Sequence, residues 1–259
     1  MILGRGIAHG LTAALWLMGW LPFWRSRHSL NDALAALAAA GLFVVAARRC
    51  QSEGPVPVSI PVLAVALLLA VSGVMAECTL PVALALVLVA GLGCRPEARR
   101  VDELRLLALL TLPWLATDGA QLALACRQSA AWATEMVFHT VGFDVVRDGT
   151  TLTIGRQPLA VAAACAGLDT LHITLVAGAW LAGVLRTRRL FWLGVIALPA
   201  LAWLANTTRV IVLGGVALTW GPDAAIGWFH DWGGLSVVVA MFTLAGGWVA
   251  ILHRTEAVK

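Results

Sequence analysis

The sequence predicts an all-α fold, a polytopic membrane helical bundle of about eight transmembrane helices, and three observations predict it. Hydrophobic residues make up 60% of the 259 positions and charged residues 12%, with a mean hydropathy of +0.87. That is more apolar surface than a water-soluble globule can hide. Apolar runs recur at about the length that crosses ~30 Å of hydrocarbon at 1.5 Å per residue, and no period-2 barrel pattern competes with them. The cations, 17 Arg and one Lys that give a net charge of +4, cluster between these runs and do not line one face. That pattern describes membrane topology and excludes a nucleic-acid-binding stripe.

Eight spans follow in order, at about 6–24, 30–47, 58–76, 80–94, 105–125, 159–185, 190–220 and 228–252. The first run has a signal peptide's length, but no small-residue cleavage site follows it before the next run, so it is retained as a span. With both termini in the cytoplasm, Arg5, Arg48, Arg49, Arg95, Arg99, Arg100, Arg105, Arg186, Arg188, Arg189, Arg254 and Lys259 lie inside. Arg25, Arg27, Arg127, Arg147 and Arg156 then lie outside, and Arg209 falls within a span. The excess inside obeys the positive-inside rule. Twelve Trp and no Tyr supply interfacial anchors, for which Trp20, Trp24, Trp132, Trp220, Trp228 and Trp232 are candidates. The whole of 1–259 is predicted to be a single integral membrane domain.

The long segment that is not membrane-like, 126–158, forms an extracytoplasmic loop in this arrangement. Its first half, from Trp132 to His139, fits a helix lying on the membrane surface with Trp132, Met136 and Val137 among its apolar contacts. Its second half, from Phe143 to Ile154, alternates around Asp148-Gly149 and fits a small β-hairpin. The run 190–220 would be ~46 Å long as a helix, too long for one untilted span. The polar group Asn206-Thr207-Thr208-Arg209 interrupts it, near the outer leaflet.

Three residues with acyl-transfer chemistry share that depth. Cys165 follows four small or apolar residues at the outer start of the sixth span, Arg209 is 44 residues further on, and His230 is 65 further on, where the chain re-enters the membrane. A thiolate is the nucleophilic form of cysteine, and a helix N-terminus or a neighbouring cation favours it. Arginine stays protonated, so Arg209 suits binding of a carbonyl or its oxyanion, and His230 can move a proton at neutral pH. Against this stands the plain reading of each residue. Most cysteines in membrane helices are small packing residues, and Arg209 within hydrocarbon, at a cost of about 2.5–3.5 kcal/mol, demands a partner or a wet pocket. Asp169 is one candidate partner. Cys165, Asp169 and His172 form a stripe on one helix face, and His172, with ~10 Å of rise between it and Cys165, suits a buried hydrogen-bonded role. Asp118 and Asp231 fit orienting or loop-stabilising roles. Cys78 and Cys126 both lie outside in this arrangement, where a disulfide is open to them, whereas Cys50 and Cys94 read as cytoplasmic-side thiols.

Glu135 and His139 stand four apart, but no His-Glu-x-x-His pattern, nucleophile elbow or phosphate-binding loop accompanies them, so no metal and no cofactor are expected. A transporter, a channel or a scaffold with a polar path through Asp118, Asp169, His172 and Arg209 is the alternative. A carrier would show paired broken helices or a repeat, and the sequence offers a single interrupted span.

Ala164-Cys165-Ala166-Gly167-Leu168, then Asn206-Thr207-Thr208-Arg209, then His230 before a glycine-containing last span, resemble in order and separation the exosortase and archaeosortase family. The resemblance covers about 136–252. It implies a membrane-embedded cysteine protease or transpeptidase with Cys165, Arg209 and His230 as its catalytic residues and 136–252 as its catalytic core. It implies that substrates are membrane-anchored proteins with a C-terminal sorting signal, namely a short motif such as Pro-Glu-Pro, a transmembrane helix and a basic tail. Their sorting to the surface would be linked to exopolysaccharide. The bacterial inner membrane, with the site toward the extracytoplasmic side, is the expected location. Asp169 departs from the basic or neutral residue expected just after the Cys-x-Gly-Leu group and bears on substrate subtype.

Overall fold

Small side chains set the packing of the first half of the chain. The computed structural model describes residues 2–3, 5–25, 30–49, 56–57, 59–90, 98–154, 157–161, 167–221, 225 and 228–257. A two-residue strand β1 (Ile2–Leu3) pairs with β2 (Val56–Pro57) and ties α1 (Arg5–Arg25) and α2 (Leu30–Arg49) to the start of α3 (Ile60–Met75). Helix α3 turns tightly into α4 (Thr79–Ala90). Ala66, Ala70 and Gly73 of α3 are buried where they meet α4, and a Cβ on Gly73 would stand 2.8 Å from Val82 Cγ2. Small residues of this kind let helix backbones approach closely where lipid supplies no hydrophobic drive to association.

The predicted fifth span, 105–125, is not one helix. Helix α5 (Ala98–Leu110) stops short of Pro113, a five-residue α6 (Trp114–Asp118) follows, and after Gly119 the chain starts α7 (Ala120–Thr140). Proline cannot donate a backbone hydrogen bond, and it biases its predecessor away from helix. The opened end is satisfied from elsewhere: Trp16 Nε1 donates to the Thr111 carbonyl at 3.3 Å and His172 Nε2 to the Leu110 carbonyl at 2.9 Å. Asp118 accepts from the Leu80 amide at 2.5 Å, so its carboxylate caps the N-terminus of α4. The stretch 132–139, predicted as a separate surface helix, is the last part of α7, with Trp132, Met136 and Val137 on its exposed side.

A three-stranded antiparallel sheet follows: β3 (Val145–Asp148), β4 (Thr151–Ile154) and β5 (Gln157–Ala160), where the sequence predicts two strands. Gly149 takes φ +60° in the two-residue turn, a conformation that costs glycine little. Leu152 and Ile154 point inward, where they cluster with Ala130, Ala131 and Phe138 of α7 and Val210. Arg147 Nε donates to Glu135 Oε2 at 2.6 Å and fastens β3 to α7.

Helix α8 (Leu168–Ala182) contacts α2, α5, α6, α9 (Arg188–Trp220) and α10 (Trp228–Ala257) and is the hub of the fold. Among the described residues α9 and the Leu235–Glu256 part of α10 are long and apolar enough to cross a membrane. Gly10–Leu21, Ala33–Arg48, Ile60–Met75, Thr79–Ala90 and Thr170–Ala182 are shorter apolar helices. The end of the bundle that carries Arg186 is tied by two carboxylates. Asp102 of α5 accepts from Arg188 Nε at 2.5 Å, Arg188 Nη2 at 3.2 Å and Trp192 Nε1 at 2.8 Å. Glu256, near the end of α10, accepts from the amides of Arg186 and Thr187 at 2.7–3.0 Å, just before α9 begins. A carboxylate there meets the positive end of the helix dipole.

Two further expectations are corrected, and one open point is answered. Trp20 is buried against Trp16 and Phe23 and is no interfacial anchor, while Trp24, Trp132, Trp220 and Trp232 are exposed. Cys78 and Cys126, whose pairing the sequence left open, are free thiols. Helix α9 runs unbroken through Asn206–Arg209, because the Thr208 hydroxyl donates back to the Leu204 carbonyl at 2.9 Å and the polar side chains leave the backbone ladder intact. Cys50 and Cys94 lie outside the described residues, as does the side chain of Trp228.

Candidate active site

One turn of α9, Asn206 to Val210, is the framework of the site. Residues at i and i+3 share a helix face, so Asn206 and Arg209 project together. Asn206 is 5% exposed and Arg209 half-buried.

On one side this turn meets the entry to α8. Gly167, the N-cap of α8, stands at φ +74° with the Asn206 carboxamide against it. A Cβ on Gly167 would be 2.7 Å from Asn206 Cγ, 2.9 Å from Nδ2 and 3.0 Å from Oδ1. Both the conformation and the space require glycine there. Val161, 3% exposed, shares a buried cluster with Val210. Residues on either side of 162–166 are thus anchored on the same turn of α9. Cys165 itself lies outside the described residues, and α8 starts three residues after it, at Leu168, whereas the sequence predicts Cys165 within the helix.

On the other side the turn meets α10. A Cβ on Gly233 would lie 3.9 Å from Arg209 Nε, so the guanidinium stem runs beside the α10 backbone. His230 is three residues before Gly233, one helical turn away on the same face. The backbone of His230 is in α10; its side chain, with those of Asp169 and Asp231, lies outside the described residues.

Between α9 and α10 a groove of about 640 Å³ opens to the outside of the bundle. Arg209, Thr208 and Ser236 are polar points in it, and Leu204, Val212, Trp232, Val237 and Leu244 make it otherwise apolar. An apolar cleft with a few convergent polar groups is the usual form of a binding site. Here it leads along about 18 Å of α10, from Trp232 to Leu244. His172 is 3% exposed and bonded to Leu110, which agrees with a buried structural role. Among the described residues no group of three His, Cys, Asp or Glu side chains comes together as metal ligands.

Sequence reasoning missed Asn206 as more than a polar interruption, and missed Gly167 and Gly233. The signal was present as spacing: a glycine two residues after Cys165, another three after His230, and an Asn three before Arg209.

The fold is that of a helical membrane protein with one polar turn facing two partner segments. The transmembrane exosortase family profile (Exosortase_EpsH) matches residues 5–247, nearly the whole chain, and the protein belongs to that family. No curated protein and no solved structure matches the chain.

Proposed function

We propose that the protein is a membrane-integrated cysteine protease or transpeptidase that cleaves C-terminal sorting signals of exported proteins through a thioester on Cys165. The observation that most supports this reading is the seating of two segments on one turn of α9. Gly167, two residues after Cys165, touches Asn206, and Gly233, one turn after His230, borders Arg209. Family membership agrees with it.

In this reading the catalytic part is about 136–252, and Cys165, Arg209 and His230 divide the work. The Cys165 thiolate attacks the scissile carbonyl carbon; a carbon–sulfur bond forms and the carbonyl π pair moves onto oxygen. Arg209, permanently charged, stabilises that oxyanion. The oxyanion collapses, the carbon–nitrogen bond breaks, and His230 gives its proton to the leaving amine. His230 then takes a proton from the acceptor, water or a second amine, whose attack on the thioester breaks the carbon–sulfur bond, releases the acyl group and restores the Cys165 thiolate beside a protonated His230. Arg209 lies about 31 Å along α9 from Arg188, close to one hydrocarbon thickness. A charge at the far interface avoids most of the cost of mid-membrane burial. About eight spans in the bacterial inner membrane, with the site on the extracytoplasmic side, fit this depth. The groove between α9 and α10 gives a membrane-anchored substrate lateral access to Arg209. Sorting of substrates with a Pro-Glu-Pro-type signal for surface display alongside exopolysaccharide completes the proposal.

The test is mass spectrometry of the full chain in membranes after incubation with an anchored Pro-Glu-Pro-type substrate. The expected result is an acyl adduct on Cys165 together with loss of the substrate's C-terminal tail, both absent in Cys165→Ala. Arg209→Ala and His230→Ala should each slow cleavage by about 10²-fold or more. Tail cleavage that persists in Cys165→Ala would overturn the proposal.

A further inference from the structure

We infer that α7 lies in the plane of the membrane, in the leaflet that holds Arg209, with one edge set into the boundary between headgroups and acyl chains. Its partner along that edge is a phospholipid surface. This stands apart from the acyl-transfer reading and rests on α9 crossing the membrane. Depth is the first observation that carries it. A Cβ on Gly119, just before α7, would lie 3.1 Å from Leu168 Cδ1, and Leu168 follows Gly167, which abuts Asn206. Ten residues further on, Ser129 Oγ accepts from Trp203 Nε1 at 2.9 Å. Residues 119 to 129 extend about 15 Å along α7, whereas Asn206 and Trp203 are only about 4.5 Å apart along α9. The axis of α7 therefore crosses α9 and does not run alongside it. Beyond Ser129, Ala130, Ala131 and Phe138 belong to the buried cluster that holds Val210. Trp203 and Val210 are about 22 Å and 33 Å along α9 from Arg188, on either side of the limit of ~30 Å of hydrocarbon. That is the depth at which in-plane amphipathic helices lie.

The second observation is the division of the helix edges. Trp203 is on the membrane side of Asn206, so its bond to Ser129 turns that side of α7 toward the hydrocarbon. At about 100° per residue, Leu122, Cys126, Ala133 and Met136 all fall within about 60° of Ser129, and none carries a charge or a carboxamide. Gln121, Gln128, Glu135 and His139 lie about a quarter turn or more away, on the edge turned from the membrane. Trp132 stands between the two edges, where indole favours the headgroup level. Protein covers neither edge: Leu122 is 42% and Met136 51% exposed, and Gln128 and His139 are exposed as well. In the leaflet the Leu122–Met136 edge continues the lipid-facing surface of α9, on which Leu204 and Val212 are exposed. Arg147 fastens β3 to Glu135 on the other edge, so the leaflet also sets the height of the sheet.

Nitroxide labels test this in the full chain in phosphatidylcholine nanodiscs. The readout is collision with oxygen, which concentrates among acyl chains, against collision with a water-soluble nickel chelate. Leu122→Cys, Gln128→Cys and Met136→Cys carry the label singly, in a chain whose own five cysteines are replaced by serine. Leu204→Cys in α9 and Asp148→Cys at the sheet turn mark hydrocarbon and water. All five positions are exposed, so a label there leaves the packing intact. Leu122 and Met136 are about 21 Å apart along α7. Their labels should both favour oxygen and differ in depth by less than half of that distance, and the Gln128 label should favour nickel. A larger difference in depth would stand α7 upright and overturn the inference. Labels at Leu122 and Met136 that favour nickel would also overturn it, by lifting the helix off the membrane. Labels sheltered from both reagents would do so by assigning the edge to a protein partner, and a Gln128 label that favours oxygen by sinking both edges. If the Leu204 label itself favours nickel, α9 does not cross and the inference falls with it.

Discussion

Gly167 and Gly149 are both left-handed, at φ +74° and +60°, but they answer to different constraints. Nothing stands within 4 Å of a Cβ on Gly149, whereas at Gly167 the Asn206 carboxamide already fills that space. Gly149→Ala should therefore cost the conformational term alone, about 1–2 kcal/mol. Gly167→Ala adds an overpacking term of about 1–3 kcal/mol, because Asn206 is buried and must move. Thermal unfolding in detergent micelles should show the larger fall for Gly167→Ala. Equal falls in the two variants would mean that Asn206 yields without strain. At this scale the sequence is informative in part. Cys165, Arg209 and His230 stand out by their order, spacing and shared predicted depth, but Gly167 and Asn206 do not, because only the three-dimensional contact between residues 39 positions apart gives them meaning.

Helix limits divide in the same way between local and tertiary causes. Helices α1 to α4 follow the hydropathy runs closely because the run, its turns and its helix coincide. The 105–125 run does not, since a hydropathy average is blind to Pro113 and Gly119, which break it into parts of α5, α6 and α7. The continuity of α9 through Asn206–Arg209 was likewise hidden, as polarity in a sequence does not show whether a side chain competes with the helix ladder. Least legible is the contact of α5 with α9, where Asp102 meets Arg188 and Trp192 across 86 and 90 positions. Burial raises the Asp102 pKa, but the hydrogen bonds from Arg188 and Trp192 and the charges of Arg188 and Arg105 outweigh it and hold the carboxyl below the ordinary range. A folded-state value below the unfolded one means that the stabilisation is complete above about pH 4, the unfolded carboxylate value, and is lost as pH falls through the lower folded value. Unfolding midpoints in urea should thus be flat from about pH 7 to 5 and drop below pH 4, with a smaller drop in Asp102→Asn. At neutral pH, Asp102→Ala should cost about 1–3 kcal/mol, mainly by leaving the Trp192 N–H without its acceptor. The exposed Arg188 keeps its hydration and adds little. A midpoint unchanged by Asp102→Ala would show that the pair contributes nothing.

For the molecule as a whole, the length of α9 is the organising fact. Its 33 residues extend about 50 Å, some 20 Å more than the hydrocarbon core. The excess is used beyond Arg209. Val210, Ile211 and Leu218 pack with Val145, Leu152 and Ile154 of β3 and β4 and with Ala130, Ala131 and Phe138 of α7, so this end of the helix is the wall on which the two strands rest. At the opposite end, Glu256 of α10 is bonded to the backbone just before α9 begins. The proposed acyl-transfer site and the Asp102–Arg188 cluster must therefore face opposite sides of the membrane if α9 crosses it once. The sign of that orientation comes from arginine placement alone, with Arg186, Arg188, Arg189 and Arg254 at one end and Arg147 in the sheet at the other. Both claims are open to one experiment. Cysteines are introduced singly as Asp148→Cys at the exposed sheet turn and Arg254→Cys at the exposed end of α10, in a chain whose own five cysteines are replaced by serine. Intact cells are then treated with a membrane-impermeant maleimide. The Asp148→Cys chain should be labelled from outside, and the Arg254→Cys chain only after lysis. The reverse pattern would keep the single crossing but invert the membrane and move the proposed site to the cytoplasm, away from exported substrates. Labelling of both from the same side would refute the crossing of α9 itself, and with it the argument that Arg209 sits at the far interface.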